Sequence, residues 1–401
     1  MFKRDNNVYA QAPMNTLSQA DINTLISYRH ALHAHPELSL EEVWTAGFIR
    51  DRLEALGIPV HEKIGGNGLV GVIEGSAPGP AVALRADMDA LAISETTGLS
   101  YASKNPGKMH ACGHDGHVAI LIGAATLLAR TRNFAGTVHL VFQPAEERFG
   151  GARLMIEDGL LERFPFERIL GLHNWPDMPA GEVLLHEGPV MAGTSEFDIT
   201  FRADGAHAAM PHLSGDPLLA GGHFLTGLQQ AVARAVDPYE AAVATVGSFH
   251  GGHAQNIIPQ SADLKGTLRA FRMETLTLLR ERTRAVAAAA ASIASCTVDL
   301  AFDDPICPPV ANTPLERDLM RAAVRQAGLA AYRGDPRPTM AGDDFGFFLL
   351  HRPGAYAWIG NGPAVLDGRL HQPAYDFNDA IIAPGATLLA RTALGALAGR
   401  T

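Results

Sequence analysis

Nine consecutive residues, Met109-His110-Ala111-Cys112-Gly113-His114-Asp115-Gly116-His117, hold three histidines, one thiol and one carboxylate. Imidazole and thiolate lone pairs suit a borderline-soft divalent cation, so this density asks for a metal site. A lone histidine is ordinarily structural. Here more donors follow in Glu146, Glu147, His173 and His371. Upstream, Asp87 and Asp89 stand two residues apart behind an apolar run, so both can point the same way from a strand end.

Cys112, His114, Glu147, His173 and His371 make five candidate ligands. One catalytic zinc-type ion takes about three protein ligands and keeps a position open. Five ligands therefore suggest two ions, roughly 3.5–4 Å apart, sharing a ligand or a water. Such a pair brings the pKa of that water to about neutral and clamps the oxygens of a transition state. Glu146, adjacent to a ligand but pointing elsewhere, is the natural general base. It takes a proton from the water and returns it to a leaving amine. Asp89 would hold a ligand histidine in one tautomer. His110, Asp115 and His117 are expected to support or pack. No Gly-x-Ser-x-Gly occurs, and Cys112 as a nucleophile would leave the other donors without a task.

These residues need elements to present them. Apolar runs at Pro80–Arg85, Thr137–Phe142 and Arg168–Leu172 read as strands. They deliver the Asp87/Asp89 pair, Glu146 with Glu147, and His173. Three strands ending in a donor or an acid assemble one site at one sheet edge. Helical spacing covers residues 19–57, with Ser18 or Asp21 as cap and a break at His33–Glu37, where Pro36 disfavours helix before it. A second helix then runs from Ser39 to Leu56. Further helices are expected at His117–Arg130, 314–329 and Ala383–Ala398, and a strand at Ala355–Gly360. Met340–Phe345 reads as a donor-rich turn. Gly66–Gly71 matches G-x-G-x-x-G, but a strand follows it, so it reads as a tight turn.

From about Pro189 the pattern changes. Strands at Glu196–Phe201, Ala242–Phe249, Ala262–Phe271 and Thr297–Phe302 alternate with helices at Pro217–Val236 and Met273–Ser295. This strand-helix-strand-strand-helix-strand order can fold as a unit of its own. Pro305, Pro308 and Pro309 mark the return. The expected architecture is α/β. A catalytic domain with a central mixed sheet flanked by helices (residues 1–189 and 305–401) is interrupted by a smaller α+β, ferredoxin-like domain (residues 190–304). Residues 1–16 read as a loose leader. The insertion adds three candidates: Arg269, which can grip a carboxylate in a two-pronged fork; Asn256, between two strands; and His207, which can donate to an oxyanion.

The 401 residues carry a formal net charge of −10, with 47% hydrophobic and 18% charged residues. That balance is globular and lacks the basic surface nucleic acid would need. No uninterrupted apolar run is long enough to suggest a membrane span. No apolar stretch follows Lys3 and Arg4, which argues against a signal peptide. Three cysteines, Cys112, Cys296 and Cys307, do not make a disulfide framework. A cytoplasmic setting is expected.

Across nearly its whole length, His33 to Ala398, the chain resembles the M20 metallopeptidase and amidohydrolase family. The branch is that of hippurate hydrolases, N-acyl-amino-acid amidohydrolases and auxin-conjugate hydrolases. The resemblance rests on Arg85–Leu91, Met109–His117, Phe142–Glu147, Gly171-Leu172-His173, the His207 loop and His371–Asp379. It implies Cys112, His114, Glu147, His173 and His371 at the metal positions and Glu146 as general base. It implies two divalent ions, zinc foremost, with manganese, nickel or cobalt as alternatives. The smaller domain would be a lid and the interface of a homodimer or higher oligomer, with His207 reaching the partner's active site. The substrate would be a small N-acyl or N-aroyl amino acid that keeps its α-carboxylate, met by Asn256 and Arg269. A dipeptidase or a dedicated N-acetyl-intermediate deacetylase would use the same chemistry. The chain departs from the family pattern at Ala206, Glu196 and Ala341-Gly342-Asp343-Asp344-Phe345.

Overall fold

The computed structural model describes residues 16–148, 150–363 and 368–398. The leader expected at residues 1–16 lies outside them, apart from Thr16. The chain forms two compact units. The first takes the described residues of Met1–Gly188, Ala311–Arg337 and Phe347–Thr401; the second takes Pro189–Val310 and Pro338–Gly346.

The first unit is built on a seven-stranded sheet. Its order is Val60–Ile64, Gly68–Glu74, Ala135–Gln143, Ala77–Asp87, Arg168–Pro176, Gly354–Gly362, Val183–Leu184. The four strands from Ala135–Gln143 to Gly354–Gly362 run parallel. The outer strands pair antiparallel. The parallel strands read as near-continuous apolar runs because helices cover both faces of such a sheet. Their carboxyl ends bring Asp87, Gln143 and His173 to one edge, where open α/β sheets place their sites.

Helix His114–Thr131 is apolar almost all round and buried along most of its length, as a central helix must be. It packs on the closing helix Ile382–Ala398. Gly123 permits that approach, since a Cβ there would stand 2.8 Å from the Cβ of Ala386. The stretch Asp379–Ala398 is in fact long and apolar enough to cross a membrane by length and composition, contrary to the sequence expectation. In this fold 61% of its 18-residue apolar window is buried inside the protein, which accounts for its apolar character.

Ser18 caps helix Gln19–Ala34 in a capping box with Asp21. The next helix begins at Val43 rather than Ser39, because Leu40 takes a left-handed conformation (φ 67°) that no helix continues. The central helix begins at His114, three residues before the expected start. Strand Val60–Ile64 was not expected, since its exposed His61, Glu62 and Lys63 carry no apolar signal.

The second unit holds a four-stranded antiparallel sheet ordered Ala242–Gly251, Ser261–Ala270, Gly193–Arg202, Thr297–Phe302. With helices Pro217–Ala235 and Met273–Ile293 this is a ferredoxin-like βαββαβ arrangement. Phe197, Phe201, Phe224, Leu264, Leu268 and Leu276 fill its core.

Candidate metal centre

Cys112 ends the loop that leads into the central helix. Gly113 follows with φ 89°, a conformation glycine adopts at little cost. A Cβ at Gly113 would stand 2.4 Å from Asn174 Oδ1 and 2.6 Å from Tyr375 Oη. This hinge directs Cys112 and His114 into one place. Cys112 Sγ lies 3.4 Å from His173 Nε2, and Cys112, His114 and His173 can offer donor atoms within 4.8 Å of one another. Glu147, Cys112 and His371 form a second such group; His114, Glu146 and Glu147 form a third. His371 Nε2 is 3.2 Å from Glu147 Oε1. His371 has φ 63°, held by its N–H donating to Ala111 O at 2.8 Å.

Both buried histidines are set in the tautomer a metal requires. His114 Nδ1 lies 2.9 Å from Asp89 O, and His173 Nδ1 lies 2.6 Å from Asn174 O. A carbonyl can only accept, so each Nδ1 carries a proton and each Nε2 is the nitrogen left to face the donor cluster, where a cation would take the place of any second proton. For His114 the acceptor is thus the backbone of Asp89. The Asp89 carboxylate stands 3.4 Å from the same Nδ1 and also takes the N–H groups of Glu146 and Glu147, each at 3.1 Å, and the Ser39 hydroxyl at 2.6 Å.

The field of the site favours a cation. Burial disfavours a charged His114, but Asp87, Asp89 and Glu147 outweigh it and lift its pKa to about 10. Burial and the Glu147, Glu146 and Asp87 carboxylates push the Cys112 thiol up. Burial and the neighbouring His117 hold His173 down, as a neutral donor. His114 Nε2 is buried with no hydrogen-bond partner among the described residues, and Glu147 Oε1 is buried between it (3.9 Å) and His371 Nε2 (3.2 Å). Buried donor atoms gathered among carboxylates fit a divalent cation.

His117, expected to support or pack, does support the site, and Asn174 and Tyr375 join it without having been given a role from sequence. His117 bridges Asp87 (Nδ1 to Oδ1, 2.6 Å) and Asn174 (Nε2 to Oδ1, 2.7 Å), and Asn174 donates to Tyr375 Oη at 2.6 Å. Arg85 donates to the other Asp87 oxygen at 2.7 Å. Asp115 faces away, into a buried cluster with Arg29 (2.9 Å) and His33 (2.8 Å). Beside the donors, Trp175 stacks on Trp358 with ring centroids 3.7 Å apart, and its ring centre lies 6.1 Å from that of His173.

In the second unit, strand Ala206–His207 pairs with Ile257–Ile258, and Ala208 N donates to Asn256 O at 3.0 Å. His207 and Asn256 are therefore neighbours, both exposed. Arg269 is half-buried on strand Ser261–Ala270 and donates from Nη1 to Met340 O at 2.8 Å.

The chain matches the sequence profile of peptidase family M20/M25/M40 over residues 83–395. It is 40% identical to the N-acetyl-L-cysteine deacetylase of Bacillus subtilis over 359 residues, covering 89% of this chain and 84% of that protein. It is 38% identical to the hippurate hydrolase of Campylobacter jejuni over 367 residues, covering 91% and 94%. The crystal structure of the Bacillus subtilis YXEP protein, described as a dinuclear metal binding peptidase from the M20 family, superposes with a TM-score of 0.82. It shares 33% identity and covers 95% of this chain and 99% of that one.

Proposed function

The chain belongs to peptidase family M20/M25/M40, and on that footing we propose that it is a metal-dependent amidohydrolase acting on N-acyl or N-aroyl amino acids. The products are a carboxylic acid and a free amino acid. Cys112, His114, Glu147, His173 and His371 would hold two divalent ions, zinc foremost. When bound, the ions supply an acidified water and neutralise charge that develops on the substrate oxygen. The names of the relatives support the substrate class, since hippurate and N-acetyl-L-cysteine are both N-acylated amino acids.

One observation carries the assignment of the base. Glu146 and Glu147 both approach His114 Nε2, at 4.0 and 3.9 Å, yet only Glu147 also reaches His371. Glu147 thus spans His114 and His371, while Glu146 approaches His114 without reaching His371, a place that suits it to proton transfer. Glu146 would take the proton from the water at its Oε and return it to the leaving amine nitrogen. His117, Asp87 and Asn174 keep the floor of the site rigid. Asn256 and Arg269 would take the substrate carboxylate, and His207 would donate to the developing oxyanion. The unit at residues 190–304 would act as lid and homodimer interface, and the enzyme would work in the cytoplasm.

The test is Glu146→Gln, assayed on hippurate, N-acetyl amino acids and free dipeptides after zinc reconstitution. Turnover should fall by about 10²–10⁴-fold while bound zinc is unchanged. Retained turnover would remove Glu146 from its role. Faster cleavage of free dipeptides than of acylated amino acids would make the protein a dipeptidase.

A further inference from the structure

Glu146 and Glu147 are consecutive residues with different tasks, so the path of the peptide between them must be fixed. Three successive backbone N–H groups of this turn end on carboxylates. Ala145 N donates to Glu42 Oε1 at 2.9 Å, and Glu146 N and Glu147 N donate to the two oxygens of Asp89 at 3.1 Å each. Glu42 is fully buried and Asp89 nearly so. Ala145 adopts φ 54°, a left-handed conformation that a non-glycine residue keeps only when its surroundings impose it. Glu42 immediately precedes helix Val43–Ala55, yet its side chain makes no capping hydrogen bond to that helix. It turns instead toward a loop 103 positions further along the chain.

We propose that Glu42 is a positioning residue for the catalytic turn. Its carboxylate, beside that of Asp89, pins Ala145 in the left-handed conformation, so that Glu146 and Glu147 both reach His114 Nε2 while Glu147 also meets His371. This rests on the reading of Glu146 as base and Glu147 as ligand. The oxygen of this side chain accepts the N–H whether or not it carries the charge, and removing it leaves that N–H buried and unpaired. The turn would then relax, and the two glutamates would lose their placement beside His114 and His371. Asn67 Nδ2, 3.4 Å from Glu42 Oε2, steadies the other carboxylate oxygen.

Three variants test this: Glu42→Ala removes the acceptor, Glu42→Gln keeps an oxygen of the same reach, and Glu42→Asp withdraws it by one methylene. Each is measured as the zinc-reconstituted full chain for kcat and KM on hippurate. Each is also measured as metal-free protein titrated with Co(II), reading the visible absorption of the bound ion. Glu42→Ala should lower kcat by about tenfold or more with KM within about twofold, and should alter the Co(II) spectrum. Glu42→Asp should show the same changes to a lesser degree, and Glu42→Gln should stay near the native values. Native kcat together with a native Co(II) spectrum in Glu42→Ala overturns the proposal. If that variant does not fold, the same native result in Glu42→Asp overturns it. Equal damage in Glu42→Gln and Glu42→Ala overturns the acceptor role. If Glu146→Gln keeps its turnover, the base assignment fails separately, and the Co(II) spectra still decide whether Glu42 sets the geometry of Glu147.

Discussion

Cys112 Sγ and His173 Nε2 stand 3.4 Å apart, one at the end of a loop and the other on a buried strand. They lie 61 residues apart in the chain. Neither needs the other for folding in any obvious way, since a buried thiol beside a neutral imidazole gains little. The pair makes sense as two donors to one ion. Cys112→Ser should therefore lower bound zinc, measured by mass spectrometry of the purified protein, and cut turnover by about 100-fold or more. Full zinc loading in this variant would take Cys112 out of the ligand set.

Gly113 meets two demands at once, a φ of 89° and no room for a side chain. Gly113→Ala should destabilise the protein by about 2–4 kcal/mol, read from the midpoint of urea unfolding. The penalty should persist in metal-free protein, because it arises from the backbone and from Asn174 and Tyr375.

Removing metal should cost stability in a concentration-dependent way. A ligand at about 1,000 times its Kd stabilises the folded state by about 4 kcal/mol. Chelation should lower Tm by calorimetry and added zinc should restore it. A Tm indifferent to both would contradict the donor cluster as a metal site.

His33 gives stability a pH dependence of definite sign. Burial alone would depress its pKa, but Asp115 and Glu95 outweigh it and raise the value from 6.5 to about 9. A proton held more tightly in the folded state stabilises folding fully below pH 6.5. That contribution is lost as pH rises through about 9. Unfolding free energy, measured by denaturant from pH 6 to 10 with metal in excess, should decline over this window. His33→Gln should flatten the decline. An unchanged slope would show that other groups dominate.

The five candidate donors stand out in sequence by residue type, and the fold brings Cys112, His114 and His173 together, and Cys112, Glu147 and His371. The supporting partners do not stand out in this way. Glu42 acts on a backbone N–H far along the chain, and a peptide group has no signature in sequence. His117 was expected to support or pack, but its partners, Asp87 and Asn174, come from two strands and could not be named from sequence. Asp89 was expected to hold a ligand histidine in one tautomer, and both its backbone oxygen and its carboxylate face His114 Nδ1, at 2.9 and 3.4 Å; sequence does not show which is nearer. The early start of the central helix at His114 follows from Gly113, whose conformation only the packed neighbours fix.

The stacked indoles of Trp175 and Trp358 have a practical consequence. The protein contains three tryptophans, and these two lie beside His173. Its ultraviolet emission therefore comes largely from the neighbourhood of the candidate metal centre. An open-shell cation such as Co(II) placed there would drain that light by energy transfer, whereas closed-shell zinc would not. The protein thus carries its own gauge of which ion it holds, readable without a label.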